Sequence, residues 1–350
     1  MKFKVIQWAT GAMGKSCLRA VIDHPDLELV GLFVYGAAKA GKDAGDIARR
    51  DPTGVLATRS IDEILSIKAD VVIHAPRLQP PYTHHNEDIC RLLASGKNVI
   101  SINGHSFPQY WGQDYVDGIE SACRTGSSTL FGTGLNPGFI VEKVAAVATG
   151  LCNRVDHIFV SETVEANLMQ DSNYVFDILG FGCEYGSINP NDLSWAPAEI
   201  LNGMYSEVVA HLAHRLGFPL DRIETDHIML PATTDIDMAA GLIKKGTIGH
   251  TNWRWHGISN GKQRVSLSIA WIMETSHLDK KAFDLWNVKI SGLPEVQIEI
   301  NLKNPDGYPF RTSPEQLAVA ASVINSIPAV CSAKPGIMDI PVPNHFKTRF

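Results

Sequence analysis

Long apolar runs are absent from this 350-residue sequence. None approaches the ~18 residues of a membrane-spanning helix. Positive charge is not in excess: 31 Lys and Arg face 37 Asp and Glu, for a formal net charge of −6. A mildly acidic chain lacks the electrostatic footprint of a nucleic-acid-binding protein. Cysteine is sparse, with six residues scattered from Cys17 to Cys331 and no C-x-x-C pair. That pattern excludes a disulfide framework and the common zinc motifs, and points to a reduced cytoplasmic protein with buried thiols. The first apolar run begins at Phe3, which leaves no room for a signal peptide. No internal repeat or low-complexity linker interrupts the chain. What remains, 45% hydrophobic and 19% charged residues, describes an ordinary globular protein long enough for two domains.

The most informative stretch is the first. Phe3-Lys4-Val5-Ile6-Gln7-Trp8-Ala9 reads as a strand, Thr10-Gly11-Ala12-Met13-Gly14 as a tight turn, and Lys15 to Ile22 as a helix. The pattern is one residue off G-x-G-x-x-G, with Ala9 at the first glycine position. Glycine lets backbone amides approach a pyrophosphate, and the following helix turns its positive end toward that anion. Thr10, Gly11, Ala12, Met13 and Gly14 are therefore candidate cofactor contacts. The plainer alternative is a strand-to-helix turn that binds nothing.

Leu27 to Tyr35 reads as a second buried strand. An NAD site usually carries an acidic residue at this strand end to hold the ribose 2′-hydroxyl. Here the sequence is Tyr35-Gly36-Ala37-Ala38-Lys39. No carboxylate repels a 2′-phosphate, and Lys39 or Lys42 attracts one. NADP is the expected cofactor, with NAD tolerated, and Tyr35 and Lys39 are candidate contacts. Strands at 69–76, 98–102 and 128–131 alternate with helical stretches at 62–65, 86–95 and 114–123. This alternation predicts a doubly wound α/β parallel sheet. Ligands of such sheets lie at the carboxyl ends of the strands. His74-Ala75-Pro76, Asn103-Gly104-His105 and Gly132 to Gly138, with Gly134 and Asn136, become candidates by position.

From about Val155 the texture changes. Strand-like segments at 155–164, 224–230, 242–255, 263–274 and 296–302 surround a long helical stretch at 197–216, and Asn260-Gly261 is a hairpin signal. This predicts an inserted α+β domain with an antiparallel sheet, with Trp253, Trp255 and Trp271 in or beneath it. Residues 168–182 are rich in apolar and aromatic side chains, which suggests a pocket wall and a fairly apolar substrate; core packing accounts for them equally well. Ser313 caps a last helix, Pro314 suits its first turn and Ile327-Pro328 ends it. That helix is expected to return to the first domain.

Hydride transfer asks the protein for orientation, a dry site and a proton-handling group. His105 has the right type at a strand end and is the leading catalytic candidate; a histidine bonding its own loop is the alternative. Asn136 and Asn103 are candidates for binding the nicotinamide amide or the substrate, and Tyr174 is a second possible hydroxyl donor. Glu162, Glu165 and Asp171 are weaker candidates for stabilising a cationic iminium. His84 and His85 point apart, and His211 and His214 lack the H-E-x-x-H spacing, so no metal is expected.

Four stretches together carry a resemblance: Gln7 to Gly14, Ala40-Gly41-Lys42-Asp43-Ala44-Gly45, Gly132-Thr133-Gly134-Leu135-Asn136-Pro137-Gly138-Phe139, and Asn325 to Cys331. They resemble the dihydrodipicolinate reductase-like family that includes 2,4-diaminopentanoate dehydrogenase and native amine dehydrogenases. The resemblance spans almost the whole chain. It implies a Rossmann domain from 1–137 and 313–350, and an α+β substrate-binding and dimerisation domain over 138–312. It further implies a homodimer and hydride exchange between NAD(P)H and a C=O or C=N carbon of a small molecule, in the cleft between domains. One departure matters. Such amine dehydrogenases carry a glutamate just past the strand that here ends near Ile102, where this chain has Asn103-Gly104-His105-Ser106. A ketone/alcohol reaction with His105 as proton donor is therefore slightly favoured. Amine dehydrogenase activity and a non-catalytic NADP-binding sensor are the alternatives.

Overall fold

The computed structural model describes residues 2–167, 169–277, 285–308 and 312–349, so that Leu168 of the apolar 168–182 stretch lies outside the described residues. Two compact units form. Unit 1 comprises Met1–Leu78, Thr83–Lys143 and Lys303–Pro341, and unit 2 comprises Gln79–Tyr82, Val144–Leu302 and Val342–Phe350.

Unit 1 begins with β1 (Phe3–Trp8), α1 (Ala12–Asp23), β2 (Leu27–Phe33), α2 (Ala44–Ala48), β3 (Ala57–Thr58) and α3 (Ile61–Ser66). It continues with β4 (Val71–His74), α4 (Asn86–Ala94), β5 (Asn98–Ser101), α5 (Gln113–Gly126) and β6 (Thr129–Gly132). In unit 2 follow α6 (Ala146–Ala148), β7 (Arg154–Glu165), α7 (Ala196–Leu216), β8 (Arg222–Thr225), β9 (Ile228–Pro231), β10 (Ile236–Met238) and β11 (Gly241–Ile243). Unit 2 then adds β12 (Ile248–Ser259), β13 (Lys262–Ile272), β14 (Trp286–Leu293) and β15 (Val296–Ile300). The chain re-enters unit 1 for α8 (Pro314–Ser332) and β16 (Gly336–Met338).

Among the described residues the unit 1 sheet has seven strands in the order β16-β6-β5-β4-β1-β2-β3, and every pairing is parallel. A parallel sheet is covered on both faces, so its strands read as continuous apolar runs rather than alternations. β4 (Val71-Val72-Ile73-His74) and β6 (Thr129 to Gly132) are accordingly buried throughout. One core joins Ile6, Trp8 and Val72 to Ile64, Ile89, Leu92, Ile119 and Cys123. α8 packs beside α1. Ser313 caps α8 by accepting the Gln316 amide. The helix does not stop at Pro328 but runs to Ser332. Proline there removes one backbone hydrogen bond. Burial of Ile327 and Val330 on the same helix carries the turn through.

The main sheet of unit 2 also has seven strands among the described residues, in the order β15-β14-β7-β13-β12-β8, with β9 paired to β12. It is antiparallel except for the parallel β7–β13 pair. Asn260 and Gly261 both take positive φ in the β12–β13 turn, as an Asn-Gly hairpin requires. Trp253 and Trp255 are buried, and Trp255 packs against Tyr205 of α7 while its indole N–H reaches Asn202 Oδ1 at 2.9 Å. Two expected strands are each divided. The 224–230 segment breaks at Asp226-His227, because His227 Nδ1 accepts the Arg254 amide at 3.1 Å in place of a ladder partner. The 242–255 segment breaks at a turn over Lys244–Thr247, where Gly246 takes φ +86°. All six cysteines are free. Among the described residues no helix is long and apolar enough to cross a membrane.

Candidate active site

Phe33, Trp8, His74, Ser101 and Gly132 form one row across the carboxyl ends of β2, β1, β4, β5 and β6. Every loop bearing a unit 1 site candidate leaves from this row. The chain proceeds from β1 to β2 on one side, while β4 lies on the other, so the strand order reverses between β1 and β4. A crevice at such a point is where doubly wound sheets bind ligands.

The β1–α1 turn assigns each small residue a task. Ala9, at the first glycine position, takes φ +72°, and its carbonyl is held by Gln7 Nε2 at 3.0 Å. Gly11 begins α1 with no side-chain cap, and a Cβ there would meet open space. Gly14 permits no Cβ, because it would strike the Ala9 carbonyl oxygen. The first position thus bends the chain, the second leaves backbone amides approachable, and the third lets the helix close on the turn.

Beside this turn lies a groove of about 420 Å³ lined by Lys15, Lys39, Lys42, Asp46, Ile47 and Arg49. Lys39 Nζ donates to both the carbonyl and the hydroxyl oxygen of Thr10, each at 2.9 Å. Burial, and then the neighbouring Lys15 charge, lower its pKa. The loop carrying these cations is knit by Asp43, which accepts the amides of Gly45, Thr53 and Gly54 at 2.7, 2.9 and 2.7 Å. These donors, Thr53 foremost, hold its carboxyl below the ordinary range. At the end of β2 stands Tyr35, whose hydroxyl accepts the Trp8 indole N–H at 3.0 Å.

Three histidines gather behind β4 and β5. His74 is wholly buried against Trp8 and His85, with ring centroids 5.8 and 5.6 Å away, and neither of its nitrogens has a hydrogen-bond partner among the described residues. Burial and then its neighbours His85 and His105 push its pKa well down. His85 Nε2 bonds the Arg77 carbonyl at 2.9 Å, and burial lowers its pKa as well. His105 takes φ +61°. Its Nε2 lies 3.2 Å from Asn86 Oδ1, and its Nδ1 lies 3.0 Å from Ser101 Oγ. A carboxamide oxygen only accepts, so Nε2 bears the proton and Nδ1 accepts the Ser101 hydroxyl. Tyr115 also donates to Asn86 Oδ1, and the Asn103 amide donates to Ser101 Oγ. Burial, then the nearby His85, lowers the His105 pKa to about 4. The sequence suggested a group titrating near neutrality; the enclosed position makes it a neutral imidazole instead. Asn103 Nδ2 donates to the Pro76 carbonyl at 2.8 Å, tying the loops after β4 and β5 together.

The loop after β6 explains its own glycines. A Cβ on Gly132 would strike Gly104, His105 and Ser106, and one on Gly138 would strike Gly134. Backbone thus lies directly on backbone. The helical segment Ile140–Ala145 that follows brings in Glu142, a fully buried acid. Ser106 Oγ and the Gly138 amide donate to its two oxygens at 3.0 and 2.9 Å. Sequence reasoning missed Glu142, Lys15, Arg49 and Gln7. Only Glu142 left a trace, as an acid in the apolar run Ile140-Val141-Glu142-Lys143-Val144.

Thr10 to Gly14, Tyr35, Lys39, His74 to Pro76, Asn103, His105, Gly134 and Asn136 all lie in unit 1: His74 in the carboxyl row itself, Ala12 to Gly14 in the first turn of α1, and the others on segments that leave the row. Tyr174 belongs to unit 2, where it packs against a cluster containing Val175, Leu179 and Phe181. The expected pocket-wall stretch contributes to that cluster as well.

Residues 5–97 match the family described as dihydrodipicolinate reductase, N-terminus. An amine dehydrogenase of Streptomyces virginiae is 24% identical to this chain over 355 residues, covering 95% of the chain and 94% of that protein. The 2,4-diaminopentanoate dehydrogenase of Acetoanaerobium sticklandii is 24% identical over 351 residues, covering 98% and 94%. The solved structure of amine dehydrogenase from Mycobacterium smegmatis shares the fold, with a TM-score of 0.75 at 16% identity over 100% of this chain and 98% of that one. The chain is thus an enzyme of the dehydrogenase/reductase class with a Rossmann-type domain for a pyridine nucleotide. Its similarity to amine dehydrogenase and 2,4-diaminopentanoate dehydrogenase extends over nearly its whole length, as its motifs suggested.

Proposed function

We propose that this chain is an NADP(H)-dependent dehydrogenase/reductase that exchanges hydride with a C=N or C=O carbon of a small molecule. The observation carrying the cofactor choice is the groove of Lys15, Lys39, Lys42 and Arg49 beside the Thr10–Gly14 turn, with no carboxylate at the end of β2. Lys39 there is crowded by burial and by Lys15. Asp46 is the one acid in the lining against four cations, and a 2′-phosphate offsets both effects by placing further negative charge beside the ammonium. The open Gly11 position and the amino end of α1 suit the pyrophosphate. NAD, lacking the extra phosphate, binds more weakly.

The nicotinamide, when bound, supplies or accepts the hydride. The chain's part is to place it and to set the electrostatics. Ala75, Pro76, Asn103, Gly134 and Asn136 are proposed to hold the nicotinamide half from the loops after β4, β5 and β6. His74, His85 and His105 all have pKa values lowered by burial. Held neutral at pH 7, they place no positive charge where an iminium or amine must sit. This permits an imine/amine pair, the reading that the similarity to amine dehydrogenase and 2,4-diaminopentanoate dehydrogenase supports. The ketone/alcohol reading keeps one specific support, since loop 103–106 offers His105 and no carboxylate to take an amine proton. In that reading the His105 Nε2 proton must leave Asn86 to reach an alkoxide.

The test is NADPH oxidation with a panel of cyclic and aliphatic ketones and aldehydes, each with and without ammonium. Turnover that requires ammonium is the expected result. Turnover without ammonium that collapses in His105→Ala transfers the assignment to carbonyl reduction. Tight NADPH binding with no turnover in either arm would point to a sensor.

A further inference from the structure

Glu142 has no role in the hydride chemistry outlined above, yet it is the only fully buried acid in unit 1 among the described residues. No cation pairs with it among the described residues. Burying a carboxylate without a cation is a poor way to stabilise a fold, since an apolar residue of similar shape packs as well and needs no desolvation. Its two oxygens have separate destinations. One takes the Ser106 hydroxyl from the loop after β5, and the other takes the Gly138 amide from the loop after β6. Ser106 stands three residues from Asn103, and Gly138 two residues from Asn136. These loops touch backbone to backbone, with no room for a Cβ at Gly132. A carboxylate between them satisfies one donor on each and sets their register.

We propose that Glu142 is a positioning residue that fixes the Asn103 and Asn136 loops against each other for the nicotinamide half of the cofactor. This rests on the nucleotide reading of the site. Its effect is confined to the nicotinamide end, because the cationic groove and the β1–α1 turn lie on other loops. The discriminating probes are NADPH and 2′,5′-ADP, which share the phosphate-bearing half and differ in the nicotinamide.

Calorimetric titration of the full chain with both ligands tests the proposal. Glu142→Met, which loses both hydrogen bonds, is expected to weaken NADPH binding about tenfold, the worth of one misplaced contact to the nicotinamide half, while 2′,5′-ADP stays within about twofold. Glu142→Gln keeps the shape and an acceptor for Gly138, and is expected to recover most of the NADPH affinity. Ser106→Ala removes one side of the link and is expected to fall between them. Should Glu142→Met fail to fold, Ser106→Ala carries the test with the same ligands. Equal losses for both ligands would make Glu142 a general structural residue and overturn the proposal, as would no loss for either. A wild-type chain that bound neither ligand would instead remove the nucleotide reading, and this inference with it.

Discussion

His105 gives the sharpest quantitative expectation. In the folded chain its imidazole is enclosed, with Nε2 on Asn86 and Nδ1 on Ser101, and its pKa falls from an ordinary 6.5 to about 4. In the unfolded chain it titrates normally. Lowering the pH therefore loads the proton onto the unfolded chain first, and stability drops. The contribution is complete above pH 6.5, is lost as the pH falls from 6.5 to about 4, and changes no further below that. At about 1.4 kcal/mol per pH unit the loss is roughly 3 kcal/mol. His74 and His227 shift in the same direction, so the wild-type curve alone does not isolate His105. The difference between wild type and His105→Asn does, and asparagine tolerates the φ of +61° found here. Urea unfolding followed by hydrogen exchange of the β5 amides, at steps from pH 7.5 to pH 4, reads the stability of unit 1. The wild type should lose roughly 3 kcal/mol more than the variant across this range. Parallel curves would refute the enclosed, neutral imidazole and return His105 to the list of groups titrating near neutrality.

Lys39→Ala should weaken NADPH binding about 10- to 100-fold, the range for a charge-assisted hydrogen bond, and leave NADH nearly unchanged; equal losses would place Lys39 in the turn's structure only. Gly14→Ala drives a Cβ into the Ala9 carbonyl and should destabilise the chain by more than about 2 kcal/mol in thermal unfolding. Gly11→Ala, whose Cβ meets open space, should leave stability within about 0.5 kcal/mol while weakening nucleotide binding. Ala9→Gly relieves a left-handed alanine but frees the unfolded chain, for a net gain of up to about 1 kcal/mol.

The unit 1 sheet was legible because both faces of a parallel sheet are covered, which writes Val71-Val72-Ile73, Val99-Ile100 and Leu130-Phe131 as adjacent apolar residues at the centres of β4, β5 and β6. The β12–β13 turn was legible because Asn260-Gly261 suits two consecutive positive φ values. The breaks at Asp226-His227 and Lys244–Thr247 were not, since the first depends on a histidine side chain reaching a strand across the sheet. Pro328 misled because local backbone cost points one way and tertiary burial of Val330 the other. The turn at Thr10–Gly14 announced itself by its spacing. The groove beside it did not, because Lys15, Lys39 and Arg49 are far apart in sequence and meet only through the Asp43-braced loop. His105 stood out by its place at a strand end. Its protonation state was hidden, being set by Ser101, Asn86 and burial. Glu142 was hidden for the same reason, with its partner Ser106 thirty-six positions away.

The central claim is that the cationic groove beside the first turn takes a 2′-phosphate. Calorimetric titration of one wild-type preparation with NADPH and with NADH tests it directly. NADPH is expected to bind at least about tenfold more tightly, a difference of about 1.4 kcal/mol, with the preference shrinking as salt is raised. Equal affinity for the two nucleotides, or tighter binding of NADH, would contradict it.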